Sequence, residues 1–339
     1  MDNSTPATMK VYAGTSRGLF KIEGTDVSCV HADARGVRDL QYLNGTFFAG
    51  TRHGLLRSED GRHWQQTGLQ DYEVWQIRSG QDRTGAPLLY ASTQPAGVWC
   101  SADQGASWQA INSFSEHPAA AQWCVPIDPP LPGQARAMVV REQQLWVGVE
   151  VGGIMHSSDY GDTWQLTLPG DNPDIHMLFA HPNKPDTLFV STGYGRLDGI
   201  ADMVEGNAGV FRSDDGGSSW QYIWQGITPR YSRPMCIDSR DSCAITVAAA
   251  PTAFSHYKQD GGAGACLFQS VDEGNNWVNL GDSQHNPAAS NFHGLCVDPT
   301  TPSGVITGTD SGEIWQVGPQ QKWRCLANEL PAVISLLAV

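Results

Sequence analysis

The sequence contains no run of 18 or more apolar residues, so it has no segment long enough for a membrane-spanning helix. Its first eight residues are polar and lack the basic and apolar regions of a secretory signal peptide. We therefore expect a cytoplasmic protein that makes no use of a membrane. Residues 1–8 are expected to form a flexible N-terminus, and residues 9–339 a single domain.

Positive charge and paired cysteines are also scarce. The chain has 21 Lys and Arg residues against 35 Asp and Glu, which gives a net charge of −14. A surface of this sign repels nucleic acid and anionic lipid, so neither is expected as a partner. None of the eight cysteines forms a Cys-x-x-Cys pair or a zinc-type spacing. We expect reduced thiols that pack as small hydrophobic core side chains.

What the sequence does contain is a repeat. The pattern Ser-x-Asp-x-Gly-x-x-Trp occurs at residues 101–108, 157–164, 213–220 and 270–277, and a copy one residue shorter occurs at 58–64. We call these five segments the Ser–Asp turns. Asp accepts backbone N–H groups inside a turn, Gly supplies a positive φ, and Trp begins the next strand. The five aspartates are therefore interpreted as structural, not as catalytic groups or metal ligands.

An apolar lead-in strand recurs seven times, at residues 11–15, 47–51, 89–93, 145–149, 188–192, 245–248 and 305–309. Seven lead-ins predict an all-β fold, a seven-bladed β-propeller with four-stranded antiparallel blades. We name the strands of a blade A to D from the axis to the rim. The first lead-in is a B strand with no A strand before it, and residues 333–339 read as an A strand. The C-terminal strand is therefore expected to close the first blade.

The Ser–Asp turns resemble the Asp-box, or bacterial neuraminidase repeat (BNR), of a large group of propellers. That group includes sialidases, xyloglucan-acting hydrolases, sortilin-type receptors and photosystem II assembly propellers. Residues 123–126, 149–153, 174–176 and 231–234 are similar to segments of bacterial propellers described as sialidase-like or glycosyl hydrolase-like. The resemblance implies the fold and not an activity. Sialidases have six blades and an Arg-Ile-Pro motif, which this sequence lacks, so a true sialidase is not expected.

Strand direction predicts where a site would lie. The D-to-A and B-to-C loops share one face, and the Ser–Asp turns, which join C to D, lie on the other. Before or at the A strands come Arg38, Trp75, Arg136, Asp174, His176, Tyr231, Arg233 and His293, and after the B strands come Arg52, Glu150, Tyr194, Arg196 and Asp310. Arginine forks favour carboxylate or phosphate. The clustering predicts a small anionic or sugar-like ligand at the channel mouth.

Glu150 and His176 are the predicted catalytic residues of that site. Glu150 follows a B strand directly, and Gly152 and Gly153 allow a ligand to approach it closely. A carboxylate beside an imidazole suits the acid–base chemistry of a hydrolase or lyase. The remaining residues of the face, Asp174 apart, are predicted to bind the ligand. Two alternatives stay open: Glu150 pairs with Arg136 or Arg196, or a metal binds at Glu150, His176 and His293, although the sequence requires no cofactor.

A second functional class also fits the sequence. No complete catalytic motif is present, which favours a non-enzymatic scaffold that binds a protein partner. The long B-to-C loops at residues 193–209 and 251–264 could then form a docking rim or, for a ligand site, a lid. A deep pocket with buried charged groups would favour the ligand site, and a flat mouth with exposed aromatic side chains would favour the scaffold.

Overall fold

A computed structural model describes residues 9–195, 203–240, 243–252 and 262–339. They form seven four-stranded antiparallel sheets. The innermost strand of each sheet contacts the innermost strands of two other sheets, so the seven strands form a closed ring. The fold is therefore the predicted all-β, seven-bladed propeller. No helix in these residues is both long and apolar enough to cross a membrane.

The strands are given for each blade in the order A to D. Blade 1 has Val333–Ala338, Lys10–Thr15, Arg17–Glu23 and Asp26–Arg35; blade 2 has Asp39–Leu43, Thr46–Thr51, Gly54–Ser58 and Gln65–Gly68; blade 3 has Glu73–Gln81, Pro87–Gln94, Gly97–Ser101 and Gln109–Ala110. Blade 4 has Ala135–Arg141, Gln144–Val149, Gly153–Ser157 and Gln165–Thr167; blade 5 has Ile175–Ala180, Leu188–Thr192, Gly209–Ser213 and Gln221–Tyr222. Blade 6 has Tyr231–Asp238, Ala244–Ala250, Cys266–Ser270 and Val278–Asn279; blade 7 has Phe292–Val297, Val305–Thr309, Ile314–Gly318 and Lys322–Ala327.

Short elements occupy some of the connections between blades. A hairpin of Cys124–Val125 and Leu131–Pro132 lies between blades 3 and 4, after the one-turn helix Asn112–Ser115 and the 3-10 helix Pro118–Gln122. A further 3-10 turn, Pro169–Asp171, lies between blades 4 and 5, whereas Pro319–Gln321 joins the C and D strands within blade 7.

Blade 1 is built from both ends of the sequence. Val333–Ala338 pairs antiparallel with Lys10–Thr15, with Val11 opposite Ala338 and Gly14 opposite Ser335. The Ser335 hydroxyl also donates a 2.8 Å hydrogen bond to the carbonyl of Val37 in the connection to blade 2. The predicted closure is confirmed, and it covers what would otherwise be an open sheet edge.

The B strands carry the hydrophobic core. Those of blades 2, 5 and 7 are buried along their whole length because A and C strands flank them and neighbouring blades cover both faces. Clusters of buried side chains cross from blade to blade, as where Val98 of blade 3 packs with Val149 and Trp164 of blade 4. Burial of this apolar surface, at about 25 cal/mol per Å², is the main stabilising contribution.

The Ser–Asp turns join C to D strands, as expected. In blade 5 the Ser213 hydroxyl accepts the Gly217 N–H at 2.8 Å, and the Asp215 carboxylate accepts the Ser219 N–H at 2.8 Å. Gly217 has φ of 93°, which a residue with a side chain rarely adopts. These hydrogen bonds give the backbone N–H groups of the turn their acceptors, so the Asp215 carboxylate has a structural role.

All eight cysteines are free thiols. Six of them are buried or half-buried, but Cys29 and Cys325 are exposed. The expectation that the thiols pack in the core is therefore wrong for these two. Both lie on D strands, whose outer edge faces solvent.

Candidate functional site

The seven A strands enclose a channel with a cavity volume of about 720 Å³. Much of its wall is apolar, with Leu40, Met177, Phe179, Met235 and Leu295 among the lining residues. All seven A strands run in the same direction along the channel axis, so their first residues lie at the same end of the channel. We call that end the mouth; its lining includes Arg38, Trp75, Arg136, Glu150, Asp174, Tyr231, Arg233 and His293.

A repeated irregularity positions these side chains. In six of the seven A strands, the pairing with the B strand shifts by one residue near the start of the strand. The residues within these shifts include Trp75, Arg136, His176, Arg233, His293 and Ile334. A β-bulge re-aims a side chain relative to the regular pleat. Five of these six residues line the cavity, and His176 is the exception.

Among the residues that the structure describes, four arginines line the channel, and three of them have a carboxylate partner. Arg136 Nη1 lies 2.7 Å from Glu150 Oε2. This confirms the alternative in which Glu150 pairs with Arg136. Arg38 pairs with Glu73, and Arg78 lies 3.0 Å from Asp39. Two of these guanidiniums also lie over the Trp75 ring, Arg38 at 4.5 Å and Arg136 at 4.9 Å from its centroid.

Arg233 is the fourth of these arginines, and no carboxylate of the described residues lies within ion-pair distance of it. Its guanidinium donates to the Tyr231 hydroxyl at 3.2 Å and lies 5.3 Å from the centre of that ring. Its Nε is buried and has no acceptor in the part of the chain that the structure describes. Burial acts to lower the pKa of Arg233, but Tyr231, Glu150 and Asp174 outweigh it and raise the pKa. The guanidinium therefore stays charged, and its Nε–H donor has no acceptor among the described residues.

His176 and Asp174 form a buried pair behind the mouth. His176 is 0% exposed, and its Nδ1 lies 2.7 Å from the Ser232 carbonyl oxygen. Its Nε2 lies 3.2 Å from Asp174 Oδ1, yet neither atom has a well-aligned hydrogen bond to any described group. Burial acts to raise the pKa of Asp174, but His176, followed by Arg136 and Arg233, holds it below its usual value. The carboxylate is therefore charged and poorly satisfied.

Two neutral polar groups complete the mouth. Burial, reinforced by Arg233, Arg136 and Arg38, lowers the pKa of His293 to about 3, so its ring is uncharged at neutral pH. Burial raises the pKa of Tyr231 to about 12, so its hydroxyl keeps its proton. Both groups can hydrogen-bond a ligand hydroxyl without adding charge.

The structure does not bring every predicted site residue to the cavity. Arg52 is exposed in the turn after its B strand, while Tyr194 and Asp310 are half-buried; none of the three lines the channel. Asp310 instead accepts the backbone N–H of Asn291 at 3.1 Å. Arg196 lies outside the described residues, as do large parts of both long loops. The catalytic roles of Glu150 and His176 remain predictions.

The structure also changes the set of residues that could bind a metal ion. Glu150, Asp174 and His176 each offer one ligand atom, and these atoms lie within 4.8 Å of one another, whereas His293 does not join them. Sequence reasoning placed Asp174 on the correct face but gave it no role. The fold shows how tightly Asp174 is enclosed: a side chain at Gly193 would approach Asp174 Oδ2 to 2.5 Å and Tyr231 to 2.3 Å, so this position requires glycine.

No protein-family model and no curated protein matches the chain. Among solved structures, it is similar to YCF48 bound to a D1 peptide, with 14% identity, a TM-score of 0.54, and coverage of 96% of this chain and 86% of the other. YCF48 from Cyanidioschyzon merolae is 11% identical with a TM-score of 0.54, over 94% of this chain and 88% of the other. A GH74 xyloglucanase from Xanthomonas campestris is 15% identical with a TM-score of 0.59, over 94% of this chain and 47% of the enzyme. The chain thus spans about half the length of that enzyme. These likenesses show the fold alone.

Proposed function

We propose that the mouth binds a small anionic molecule through Arg233. The observation that carries this proposal is that, among the described residues, the Arg233 guanidinium has no carboxylate partner, whereas the other three arginines of the channel each have one. A buried charge without a partner is costly, and a ligand carboxylate or phosphate would supply the missing acceptors in a bidentate pair. Tyr231 would hold the guanidinium in place through its hydroxyl.

The shape and polarity of the channel support a sugar-like anion. Its volume of about 720 Å³ falls within the range of roughly 300–1,000 Å³ that is typical of small-molecule sites. Neutral His293 and Tyr231 offer hydrogen bonds to hydroxyl groups beside the charged anchor. In an enzymatic form of this function, of the hydrolase or lyase type, Glu150 at the cavity wall would transfer the proton, with His176 buried behind it. The similarity to a xyloglucanase supports the sugar-like class only through the shared fold.

Calorimetric titration with matched ligands tests the anchor. D-glucuronate and D-glucose differ by a carboxylate in place of a hydroxymethyl group, and phosphate and acetate report on the anion alone. We expect glucuronate to bind at least about tenfold more tightly than glucose, because only the carboxylate engages Arg233. Arg233→Lys should lose at least about tenfold in affinity although it keeps the charge, because a planar fork becomes a point charge.

Arg52→Lys is the matched control, because Arg52 lies on the same face but is exposed and outside the cavity. It should leave glucuronate binding unchanged. Failure of all four probes to bind, or equal losses in the Arg52 and Arg233 variants, would show that Arg233 is not an anion anchor.

A protein-binding scaffold is the second candidate function, and one feature beside the mouth favours it. In the hairpin between blades 3 and 4, Ile127 is 41% exposed and Leu131 is 44% exposed, and Ile127 also lines the channel. One of the similar structures carries a bound peptide. The double variant Ile127→Ser, Leu131→Ser separates the two functions. It should abolish capture of peptides from a random library and leave glucuronate binding intact.

We further propose that the chain belongs with the Asp-box propellers. The five Ser–Asp turns support this grouping, because each places a serine and an aspartate in the same hydrogen-bonded arrangement.

A further inference from the structure

The hydrogen bonding of His176 determines which of its ring nitrogens carries a proton. Nδ1 lies 2.7 Å from the Ser232 carbonyl oxygen, which can only accept, so Nδ1 must donate. In a neutral ring, Nε2 then presents a lone pair. That lone pair lies 3.2 Å from Asp174 Oδ1, which is also an acceptor when ionised. Two buried acceptors that face each other repel, so a proton or a metal cation must bind to one or both of them.

His181 shows the complementary arrangement in the same blade. Its Nδ1 accepts the backbone N–H groups of Asn183 and Lys184, both at 3.1 Å, so its Nε2 carries the hydrogen. That Nε2 lies 3.5 Å from Glu273, which makes a donor face an acceptor. His181 Nε2 also has no well-aligned hydrogen bond among the described residues. However, a protonated nitrogen that faces a carboxylate needs no added charge, whereas the two facing acceptors of the His176 pair do.

We propose that Glu150, Asp174 and His176 together bind one divalent cation of the zinc class. Their ligand atoms lie within 4.8 Å of one another, and one imidazole with two carboxylates is a ligand set that Zn²⁺ accepts. The Ser232 carbonyl accepts the hydrogen of Nδ1 and so orients the imidazole with Nε2 toward the ion, as backbone carbonyls do for histidine ligands at metal sites. Arg136 pairs with Glu150 Oε2 and leaves the other carboxylate oxygen for the ion.

Three protein ligands leave coordination positions open toward the cavity, where Glu150 and Asp174 line the wall. Such openness is typical of sites that bind or activate a further molecule, not of closed structural sites. The positive charges of Arg136 and Arg233 are close enough to lower the pKa of Asp174. The same charges repel a cation bound there. We therefore expect weaker binding than at a closed zinc site. An anion on Arg233 would offset this repulsion, so cation and anion should strengthen each other reciprocally.

This inference goes beyond anion binding, and titration with the metal alone tests it. The full chain is treated with a chelator, dialysed and titrated with ZnCl₂ by calorimetry. A separate metal-free sample is titrated with Co²⁺ as a spectroscopic probe, because its visible spectrum distinguishes nitrogen and oxygen ligands from the free thiols. We expect one ion per chain and a Co²⁺ spectrum without a thiolate charge-transfer band. His176→Gln and the near-isosteric Asp174→Asn should each weaken binding by at least about tenfold.

His181→Gln is the matched control and should bind the ion as the unaltered protein does. Thermal melting of every variant establishes that it is folded. Absence of stoichiometric binding, a thiolate spectrum, or equal affinity in the His176 and His181 variants overturns the proposal. So does an NMR spectrum that shows His176 as an imidazolium unchanged by Zn²⁺, because a proton would then occupy the position between the two acceptors.

Discussion

The two faces of the propeller use carboxylates in opposite ways. On the turn face, Asp103 is exposed yet receives hydrogen bonds from the Ser101 hydroxyl and from both the amide and hydroxyl of Ser107. At the mouth, Asp174 is buried, and no hydrogen bond to its carboxylate meets good geometry among the described residues. Both pKa values are low, but for different reasons: hydrogen bonds led by Ser107 lower that of Asp103 to about 2, whereas His176 outweighs burial at Asp174.

This difference distinguishes carboxylates that stabilise the repeated turns from carboxylates that are candidates for a functional site. A carboxylate that recurs in five of the seven blades and is hydrogen-bonded within its own turn has a structural role that does not depend on one particular blade. Asp174, Glu150 and Arg233 each occur in one blade, and two of them have unsatisfied atoms. Buried polar groups are normally paired, so an exception needs an explanation such as a bound ion or ligand.

Removal of residues 333–339 is expected to have the largest effect, because both faces depend on one closed ring. Blade 1 would lose its A strand and expose the edge of Lys10–Thr15, together with the buried contacts of Val333 and Leu336. We expect aggregation or a much lower melting temperature, measured by calorimetry and size-exclusion chromatography. A synthetic peptide of the same residues should partly restore the melt. A monomer with an unchanged melting curve would show that the ring does not need this strand.

Ser213→Ala tests the claim that the turn face serves stability alone. The buried Ser213 hydroxyl accepts the Gly217 N–H and donates to Asp215, so its loss leaves a buried donor without an acceptor. The free energy of unfolding should fall by about 1–3 kcal/mol in chemical denaturation. Glucuronate and Zn²⁺ affinities, measured on the folded variant, should not change. A loss of binding in the folded variant would place the site on the turn face and show that this face does not serve stability alone.

The acid dependence of stability should also differ between the two faces. The pKa of His293 is lowered from 6.5 to about 3 in the fold, so the unfolded chain takes up the proton first. The contribution of His293 to stability is thus fully present above about pH 6.5 and is lost as the pH falls toward about 3. His293→Gln should flatten the stability curve in that window. An unchanged curve between about pH 6.5 and 4 would show that the His293 ring is not shielded from protonation.

Asp103→Asn is the turn-face counterpart of that measurement and should have the smallest effect. The pKa of Asp103 is lowered from 3.8 to about 2, so its contribution is present above about pH 4 and is lost only below it. The difference between this variant and the unaltered protein should therefore be constant above about pH 4 and shrink below it. A change between about pH 6.5 and 4 would contradict the assignment of that window to the mouth.

Much of the architecture follows from local sequence. Ser–Asp turns at 101–108 and 157–164 bring their own hydrogen bonds, and lead-ins such as 188–192 are buried apolar runs. Counting them predicted the number of blades and the pairing of residues 333–339 with residues 11–15. Strand direction also predicted which face holds Arg233 and His293, because alternate connections in an up-and-down sheet must lie at opposite ends.

The sequence by itself thus determined the seven blades and the face that carries the charged residues, because both depend on patterns within one repeat. It also determined the closure, because the first repeat lacks an A strand and the last residues supply one. Only the tertiary structure decided which charges find partners. Arg136 and Glu150 pair within blade 4, and Arg38 of blade 2 pairs with Glu73 of blade 3. Among the described side chains, Arg233 donates a hydrogen bond to Tyr231 and pairs with no carboxylate. Likewise, Asp174 and not His293 joins Glu150 and His176. The physical reason is that pairing depends on side-chain directions set by bulges and by inter-blade packing, and differences of a few ångströms decide whether a charge is satisfied or left for a ligand.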